Sequence, residues 1–312
     1  MSGFLVKQPG LLTLIQDGGR YGQHRIGLTN GGPLDADAFK WANRLCENDL
    51  NATGLEISIG GLVLEAQVDT TLAVTGAHMP FKINGQEVQR WQSHKVKAGD
   101  KVELGFTTAG SRAYLAVAGG FQVEKSFTST ATVTRESIGG LTGQKLQQGD
   151  FLACKSHQGG ALWALAESEQ PDYTQSTTLR VILGYQQHSF DRIQQRLFFS
   201  SEYTLTERAD RMGFRLEGQR VQSTLDVILS EGICHGAIQI PADGQPIVLL
   251  NDRQTIGGYP KIGSVIARDT AKLSQRMPGT KISFEEISLE QAHNINCLAE
   301  RRFTTTSLQR IA

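Results

Sequence analysis

The sequence lacks the features that identify membrane, secreted and nucleic-acid-binding proteins. No apolar run approaches the roughly 20 residues that cross a bilayer. The opening stretch MSGFLVKQPGLLTLIQDGG has neither the continuous apolar segment nor the cleavage site of a signal peptide. The 31 basic and 31 acidic residues cancel, and they form no basic stripe of the kind that binds nucleic acid. We therefore expect a soluble, cytoplasmic protein that binds neither membrane nor nucleic acid.

Cysteine and histidine are sparse and scattered. The four cysteines, Cys46, Cys154, Cys234 and Cys297, form no CxxC motif, and the seven histidines include no HExxH or HxH. Metal sites need closely spaced ligands, and disulfide frameworks need many paired thiols. The sequence therefore predicts reduced thiols and no metal site.

Helical patterns are few, whereas short apolar or alternating runs are many. Runs such as TTLAVTG, KVELGF, AYLAVAGG, LRVILG and KISFEE are separated by Gly, Asp, Asn and Pro, which is typical of β-sandwiches and barrels. The 34 glycines fit tight corners and bulges. We predict a mainly β fold with short helices over residues 33–48, 189–199 and 269–277, the second of them with Ser189 as its N-cap. A fourth helix is predicted from Ser288, where Gln291 completes a capping-box pattern.

The length indicates two domains. A chain of 312 residues exceeds the size at which single hydrophobic cores usually stop growing. The polar stretch 166–178, which contains Pro171, is the candidate boundary. We predict two β-rich domains, one over residues 1–170 and one over residues 171–312 with a helix near its end.

The first candidate site is DGQPIVLLNDRQTIGGYPKIG, residues 243–263. A short apolar strand is followed by charged and amide side chains and by two glycines, a common way of presenting polar groups to a ligand. Asp252 can accept an amide N–H, Gln254 can donate and accept, and Lys261 can neutralise an anion. An ordinary surface turn explains the pattern equally well.

Three further stretches contain chemically active residues. In LSEGICHGAIQIP, Ser230, Glu231 and His235 suggest a nucleophile with its base, but no GxSxG motif is present and a bend between strands is favoured. The glycine-rich segment 15–39 matches no nucleotide motif, so a plain loop and helix is at least as good an interpretation. The arginines of ERADRMGFRLEG form either an ion-pair network or an anion site.

The same stretches resemble a known family. The segments that carry the resemblance are TLIQDGGRYGQHRIGLTNGGPLDADAFKWANRL, LEISIGG, RAYLAVAGGF, RADRMGFRLEG, ILSEGICHGAIQIPADGQPIVLLNDRQTIGGYPKIG and MPGTKISFEEIS. In this order they resemble the allophanate hydrolase subunit 2 family, also called the biotin-dependent carboxyltransferase-like family, over nearly the whole chain.

The resemblance implies a fold and an activity. The fold is two cyclophilin-like β-barrel domains with a few short helices. The chain is most similar to the branch formed by the C subunit of 5-oxoprolinase, which implies a hydrolase subunit that is inactive alone. With a subunit-1 (B-type) partner and a lactam-hydrolase subunit, it would help to bind and activate the lactam of pyroglutamate during ATP-dependent conversion to glutamate. Two alternatives stay open: the carboxyltransferase component of a urea or amide carboxylase, and a Kip-type regulatory module that binds a kinase inhibitor.

The resemblance also implies site residues, without naming a catalytic one. A planar N–C=O group would be held by polar side chains and by backbone N–H groups. The substrate-binding set that carries over is Gln239, Gln245, Arg211, Arg215, Asp252, Gln254, Gly257, Gly258, Tyr259 and Lys261, with Asp210 beside it. A possible second site comprises Asp17, Arg20 and Glu56.

The sequence departs from the family pattern at two points. Thr255 is followed by Ile256 instead of a second threonine, which removes one hydroxyl. The chain also lacks an MKM-type biotin attachment sequence, so we expect no covalently attached biotin. ATP is expected to be used by the complex, since no P-loop is present in this chain.

Overall fold

The computed structural model describes residues 2–175, 177–225 and 227–312. The chain forms two compact units. The first comprises the chain up to Tyr21, Gly31–Thr174 and Ser307–Ala312, and the second comprises Gly22–Asn30 and Gln175–Thr306. Strands dominate both units, so the predicted mainly β fold with a few short helices is confirmed. Within the described ranges, no helix has the length and apolar character needed to span a bilayer.

Strands of the first unit are short and separated by tight connections. In chain order they are β1 Gly3–Pro9, β2 Leu12–Gln16, β3 Gly54–Ser58, β4 Leu62–Ala66, β5 Thr70–His78, β6 Phe81–Ile83, β7 Gln86–Glu87, β8 Ser93–Val96, β9 Lys101–Leu104, β10 Ala109–Val117, β11 Phe151–Ala153 and β12 Trp163–Ala164. One sheet has the order β11-β1-β4-β9-β6-β7, and the other has the order β2-β3-β10-β5-β8.

Glycine corners pass the chain from one sheet to the other. Gly10 joins β1 to β2 with φ +73°, and a Cβ there would lie 2.6 Å from the Gly60 carbonyl oxygen. Gly60 and Gly61, which join β3 to β4, also have positive φ. Strands that change sheets at such bends give two sheets crossing over one core. Among the described strands of the first unit, the hydrogen-bonded ladders are interrupted at these corners, and the strands form two separate sheets.

The core of the first unit lies between these sheets. Phe4 and Leu64 come from one sheet, and Leu55 and Val74 come from the other, and all four belong to one buried cluster. Each strand that changes sheets thus contributes apolar side chains to the same core from both sides of its corner.

The second unit is a closed barrel. Its strands are β13 Thr177–Leu183, β14 Tyr203–Ala209, β15 Gly213–Glu217, β16 Glu231–Gly232, β17 Ala237–Gln239, β18 Ile247–Leu249, β19 Ile256–Gly257, β20 Lys261–Val265 and β21 Lys281–Glu286. The barrel order is β13-β20-β17-β18-β15-β14-β21, and β16 pairs with β19 in a separate two-stranded sheet. The C-terminal barrel implied by the resemblance is therefore confirmed.

In the described ranges, four α-helices accompany the strands, near the predicted positions. They are α1 Ala36–Leu45, α2 Arg192–Ser200, α3 Ala267–Ser274 and α4 Leu289–Thr305. The capping box of α4 is present, since Ser288 accepts from the Gln291 backbone and Gln291 accepts from the Ser288 backbone. For α2 the N-cap is Asp191 instead of Ser189, because its carboxylate accepts from two backbone N–H groups of the first turn.

If the chain is divided in two near residue 170, two segments belong to the unit on the other side of the division. The last strand, β22 Gln309–Arg310, pairs with β12 and so belongs to the first unit. Gly22–Asn30 belongs to the second unit. The glycine-rich N-terminal motif is thus divided between the two units.

Candidate functional site

A cavity of about 460 Å³ lies in the second unit. Its lining comes from β14, β15, β17, β18 and the loops beside them, and includes much of the predicted substrate-binding stretch. The lining residues are Arg208, Asp210, Met212, Gly213, Arg215, Ile233, Gln239, Ile247, Leu249, Arg253, Gln254 and Tyr259.

The cavity lies on the outer face of the barrel. Arg215 pairs across the ladder with Ile247, and Gln239 pairs with the same residue, so these three side chains share one face. The alternate residues Phe214 and Val248 are fully buried in the interior. Because successive side chains point to opposite faces of a strand, the cavity is outside the barrel core.

The β14–β15 turn forms one wall of the cavity. Oδ1 of Asp210 accepts from the backbone N–H groups of Met212 (2.8 Å) and Gly213 (3.1 Å). This is a side-chain-closed turn, in which the aspartate fixes the backbone locally. The Asp210 carboxylate therefore stabilises the backbone of this turn at the edge of the cavity.

Five polar side chains in the lining have no protein partner among the described residues. They are the side chains of Arg208, Arg215, Gln239, Gln254 and Tyr259. Gln239 is only 6% exposed, although it has two donors and two acceptor lone pairs to satisfy. Buried polar groups are normally hydrogen-bonded, so Gln239 is the unusual member of this set. The other four side chains are exposed, and all five can contact a ligand in the cavity.

Asp252 and Arg211 are joined instead in a buried ion pair. Nε of Arg211 lies 2.9 Å from Oδ2 of Asp252, and Nη2 lies 3.0 Å from Oδ1. Arg211 is 6% exposed and Asp252 is 3% exposed. Such a bidentate pair fixes geometry strongly. It ties the β14–β15 turn to the loop after β18, and neither residue is among the described residues that line the cavity.

Arg253 was not among the predicted site residues, yet it lines the cavity. Its Nε donates to the carbonyl of Ile233 (3.1 Å), its Nη1 to the carbonyl of Leu250 (3.2 Å) and its Nη2 to Oδ1 of Asn30 (3.5 Å). The Leu250 carbonyl is local, whereas Ile233 and Asn30 lie 20 and 223 residues away in the sequence and are brought near Arg253 by folding. In the sequence, the one feature that could have indicated Arg253 as a site residue is its position directly after Asp252 in the same motif.

Lys261 is held by acidic and amide groups outside the described lining of the cavity. Its ammonium group pairs with Oε1 of Glu231, which also accepts from Gln186 (2.8 Å). Burial raises the pKa of Glu231, but hydrogen bonds from Lys261, Tyr185 and Gln186 outweigh it and leave the pKa below its ordinary value. The charge of Lys261 is thus balanced within the protein.

The remaining predicted residues of the motif shape its backbone. Gln245 accepts from the Gly218 N–H (2.8 Å) and donates to the Gly218 carbonyl (3.3 Å). A Cβ on Gly257 would lie 2.6 Å from Cδ1 of Ile233 and 3.0 Å from Nε2 of Gln239. A Cβ on Gly258 would lie 2.9 Å from the carbonyl oxygen of Ile228. Both glycines therefore permit close approach of the chain beside the cavity.

The Ser230–Glu231–His235 arrangement does not occur as a nucleophile with its base. Glu231 pairs with Lys261, and Ser230 is exposed. Burial, helped by the nearby Arg253 charge, lowers the pKa of His235 from 6.5 to about 4, although a hydrogen bond with Asn251 opposes this. His235 is therefore a neutral imidazole near the cavity wall at neutral pH.

The possible second site is a set of buried braces in the first unit. Asp17 accepts from the backbone N–H of Gly19, the hydroxyl of Ser129 and the backbone N–H of Thr130. The guanidinium of Arg20 donates to the carbonyls of Ser126 and Ala131. These contacts hold the chain around residues 126–131.

Glu56 has a similar role and is fully buried. Its Oε2 accepts from the backbone N–H of Leu34 (2.8 Å) and from the hydroxyl of Tyr114 (2.9 Å), and its Oε1 lies 3.9 Å from Nε of Arg112. Asp17, Arg20 and Glu56 therefore do not converge on a described cavity.

The sequence is similar to those of known proteins over most of its length. A family model described as the carboxyltransferase domain, subdomains A and B, matches residues 26–286. The chain is 38% identical over 284 residues to the C subunit of 5-oxoprolinase from Escherichia coli strain K12, which is 91% of each chain. It is 29% identical over 311 residues to urea amidolyase of Saccharomyces cerevisiae, covering 92% of this chain and 17% of that protein.

A solved structure shares the fold. The crystal structure of Kluyveromyces lactis urea amidolyase matches with a TM-score of 0.91 at 25% identity, covering 100% of this chain and 20% of that one. The similarity thus extends over both units of this chain, while the larger protein contains much else besides.

Proposed function

The chain belongs to the carboxyltransferase domain family, and from this membership we propose that it is a subunit of an ATP-dependent lactam hydrolase of the 5-oxoprolinase type. In this proposal the cavity on the outer face of the second-unit barrel binds the lactam and makes its carbonyl more reactive. The substrate is pyroglutamate, which combines a planar ring amide with a carboxylate.

The observation that carries the proposal is the group of five lining side chains without protein partners in the described structure. The guanidinium groups of Arg208 and Arg215 suit the carboxylate of pyroglutamate, because a guanidinium fork matches a carboxylate in geometry and charge. Gln239 and Gln254 can accept the ring N–H and donate to the carbonyl oxygen.

Apolar side chains complete the complementarity. Met212, Ile233 and Leu249 line the same cavity and can contact the ring methylenes of the lactam. A cavity with an apolar surface and a few convergent polar groups is the usual form of a small-molecule site.

The lactam carbonyl would be made more reactive by the position and polarity of the amide side chains around it. Amide donors held against the carbonyl oxygen stabilise the negative charge that develops when the carbonyl is attacked. The buried Arg211–Asp252 pair keeps the wall that carries them in place, which limits the entropy lost on binding. No general base is assigned to this chain, and we propose that the attacking group and ATP are supplied in a complex with a subunit-1 (B-type) protein and a lactam-hydrolase subunit in the cytoplasm.

A second candidate is the carboxyltransferase component of a urea or amide carboxylase. The likeness to urea amidolyase supports it, since urea and the ureido ring of biotin also present a planar N–C=O. Urea, however, has no carboxylate, whereas the cavity has two arginines without anionic partners among the described residues. That difference favours the lactam. A Kip-type regulatory role, in which the chain binds a kinase-inhibitor protein, stays a third prediction.

Reconstitution tests the proposal. The three proteins would be purified and pyroglutamate-dependent ATP hydrolysis measured with the wild-type chain, with no chain, and with Arg215→Gln or Gln239→Leu. We expect turnover to require the chain and both variants to raise the KM for pyroglutamate. Turnover that is indifferent to the chain would refute the proposal, and co-purification with a biotinylated protein would favour the carboxylase alternative.

A further inference from the structure

The first unit contains a larger cavity that the proposed function does not use. Its volume is about 690 Å³, and its lining comes from the end of β5, the β7–β8 connection and residues 164–174. One imidazole, one guanidinium and two carboxylate residues line it beside the phenol of Tyr173: His78, Arg90, Glu167 and Asp172. The contacts of these four groups indicate what the cavity can bind.

Arg90 is a desolvated cation without a carboxylate partner among the described residues. Its Nη1 donates to the carbonyls of Gly76 (3.0 Å) and Ala77 (3.1 Å), and these are its only hydrogen bonds to described residues. Burial lowers the pKa of Arg90, although it remains charged at neutral pH. A partly buried charge with no counter-ion is costly unless something compensates it.

A local irregularity in the sheet positions Arg90. The β5–β10 register shifts between Ala109 and Ala113, opposite the stretch from Gly76 to His78. Gly76 has φ +85°, and a Cβ there would lie 2.5 Å from the Arg112 carbonyl oxygen. Bulged ladders of this kind often redirect groups at the edge of a site. Here the carbonyls at the irregularity anchor one side of the guanidinium, and Nε and Nη2 have no protein acceptor in the described structure.

A carboxylate without a described partner lines the same cavity. Glu167 is exposed, and its side chain has no hydrogen bond or ion pair to any described residue. Arg90 and Glu167 are not paired with each other either. Asp172 differs, because its Oδ1 accepts from the backbone and hydroxyl of Thr174 (2.8 and 2.6 Å). His78 is tied to the hydroxyl of Thr108 (2.8 Å).

We propose that this cavity binds a small zwitterion of the α-amino acid type, with its carboxylate on Arg90 and its ammonium group on Glu167. An unpaired cation and an unpaired anion that line one cavity without meeting are complementary to a ligand that carries both charges. Gln89 and Gln92 also line the cavity, which favours a polar amino acid side chain, whereas Nε2 of Gln170 already donates to the Leu165 carbonyl (3.0 Å). A polyphosphate is disfavoured, because the described lining contains Arg90 together with two carboxylate residues.

Direct binding to the isolated chain tests the inference. Calorimetric titration would use L-glutamine, L-asparagine and L-serine, together with two truncated analogues of glutamine: glutaramate, which lacks the ammonium group, and 4-aminobutanamide, which lacks the carboxylate. We expect at least one amino acid to bind at one site with a Kd of about 1 mM or tighter. Each analogue should bind at least about tenfold weaker, which corresponds to losing one charge-assisted contact.

Variants identify the groups responsible. Arg90→Gln and Glu167→Gln should each weaken binding at least about tenfold, whereas Arg135→Gln, which removes an exposed arginine paired with Glu136, should not. Glu167 is exposed, so its variant will fold even if Arg90→Gln does not. Absence of binding by all three amino acids, or unchanged binding to Glu167→Gln, would overturn the inference. Arg215→Gln should leave binding intact, so the result is independent of whether the chain serves a lactam hydrolase.

Discussion

The two cavities differ in how their charges are arranged more than in their size. In the second unit, Arg208 and Arg215 are exposed cations without described partners, and the nearby Asp210 is engaged by backbone N–H groups. In the first unit, one partly buried arginine and one exposed glutamate line the cavity without pairing. The first arrangement suits a net anion, and the second suits a ligand of both charges.

A second contrast lies within the second unit, between residues that line the cavity and residues that support it. Arg211 and Asp252 satisfy each other, and Lys261 is satisfied by Glu231. Arg215, Gln239 and Gln254 have no such partners in the part of the chain that the structure describes. In our proposal the paired residues are a scaffold and the residues without described partners are a binding surface. Substitutions should separate the two groups by their effects on stability and on activity.

The largest expected effect is on stability, at the scaffold pair. Asp252→Ala leaves a buried guanidinium without its counter-charge, and breaking such a pair typically costs about 3–5 kcal/mol. Urea denaturation would measure the free energy of unfolding. The double variant Arg211→Met, Asp252→Leu should recover part of the loss, because it removes both charges. An Asp252→Ala protein as stable as wild type would remove the distinction between scaffold and binding surface.

The next effect is on activity at the binding surface. Arg215→Gln should change the unfolding free energy by less than about 0.5 kcal/mol, as is usual for exposed positions. Loss of a hydrogen bond to a charged group, worth about 1.5–3 kcal/mol, should raise the KM for pyroglutamate about 10- to 100-fold. Steady-state ATP hydrolysis by the reconstituted complex would show this. A variant that is destabilised but kinetically normal would assign Arg215 to the scaffold.

A pH-dependent effect on stability is expected from His235, near the second-unit cavity. The pKa of His235 lies near 4 in the folded protein, below its ordinary value of 6.5. Between these values the unfolded chain binds more protons than the folded one, so stability falls as pH is lowered through this window, by at most about 1.4 kcal/mol per unit. His235→Gln should flatten that slope. Denaturant midpoints from pH 7 to pH 4 provide the measurement, and identical slopes in the wild-type and His235→Gln proteins would contradict the assignment.

The smallest effect concerns the close approach at Gly257. Gly257→Ala should displace Gln239 or Ile233 by a few tenths of an ångström, since the added methyl group would contact both. We expect a several-fold rise in KM with a stability loss of about 1 kcal/mol, in the usual range for point variants. Gly232→Ala is the matched control, because a Cβ there meets nothing within 4 Å. Equal kinetics for the two variants would show that Gln239 needs no exact position.

Local features of this fold were predictable, and pairings distant in sequence were not. The helix from Ser288 was correctly predicted because its cap lies within four residues. The N-cap of α2 was placed at Ser189, since the sequence does not show that Asp191 reaches two N–H groups. The 41-residue separation of Arg211 and Asp252 hid their pairing. Alternation along β15 and β17 also cannot show that Arg215 and Gln239 share an outer face, because strand order is set by tertiary structure.

The central claim is that the outer face of the second-unit barrel binds the lactam through Arg215, Gln239 and their neighbours. It is tested most directly by the dependence of ATP hydrolysis on pyroglutamate concentration, compared among complexes that contain the wild-type chain, Gln239→Leu, Arg215→Gln or Arg135→Gln. We predict a KM raised at least about tenfold for Gln239→Leu and Arg215→Gln and unchanged for Arg135→Gln. Wild-type KM values in the first two variants would contradict the claim.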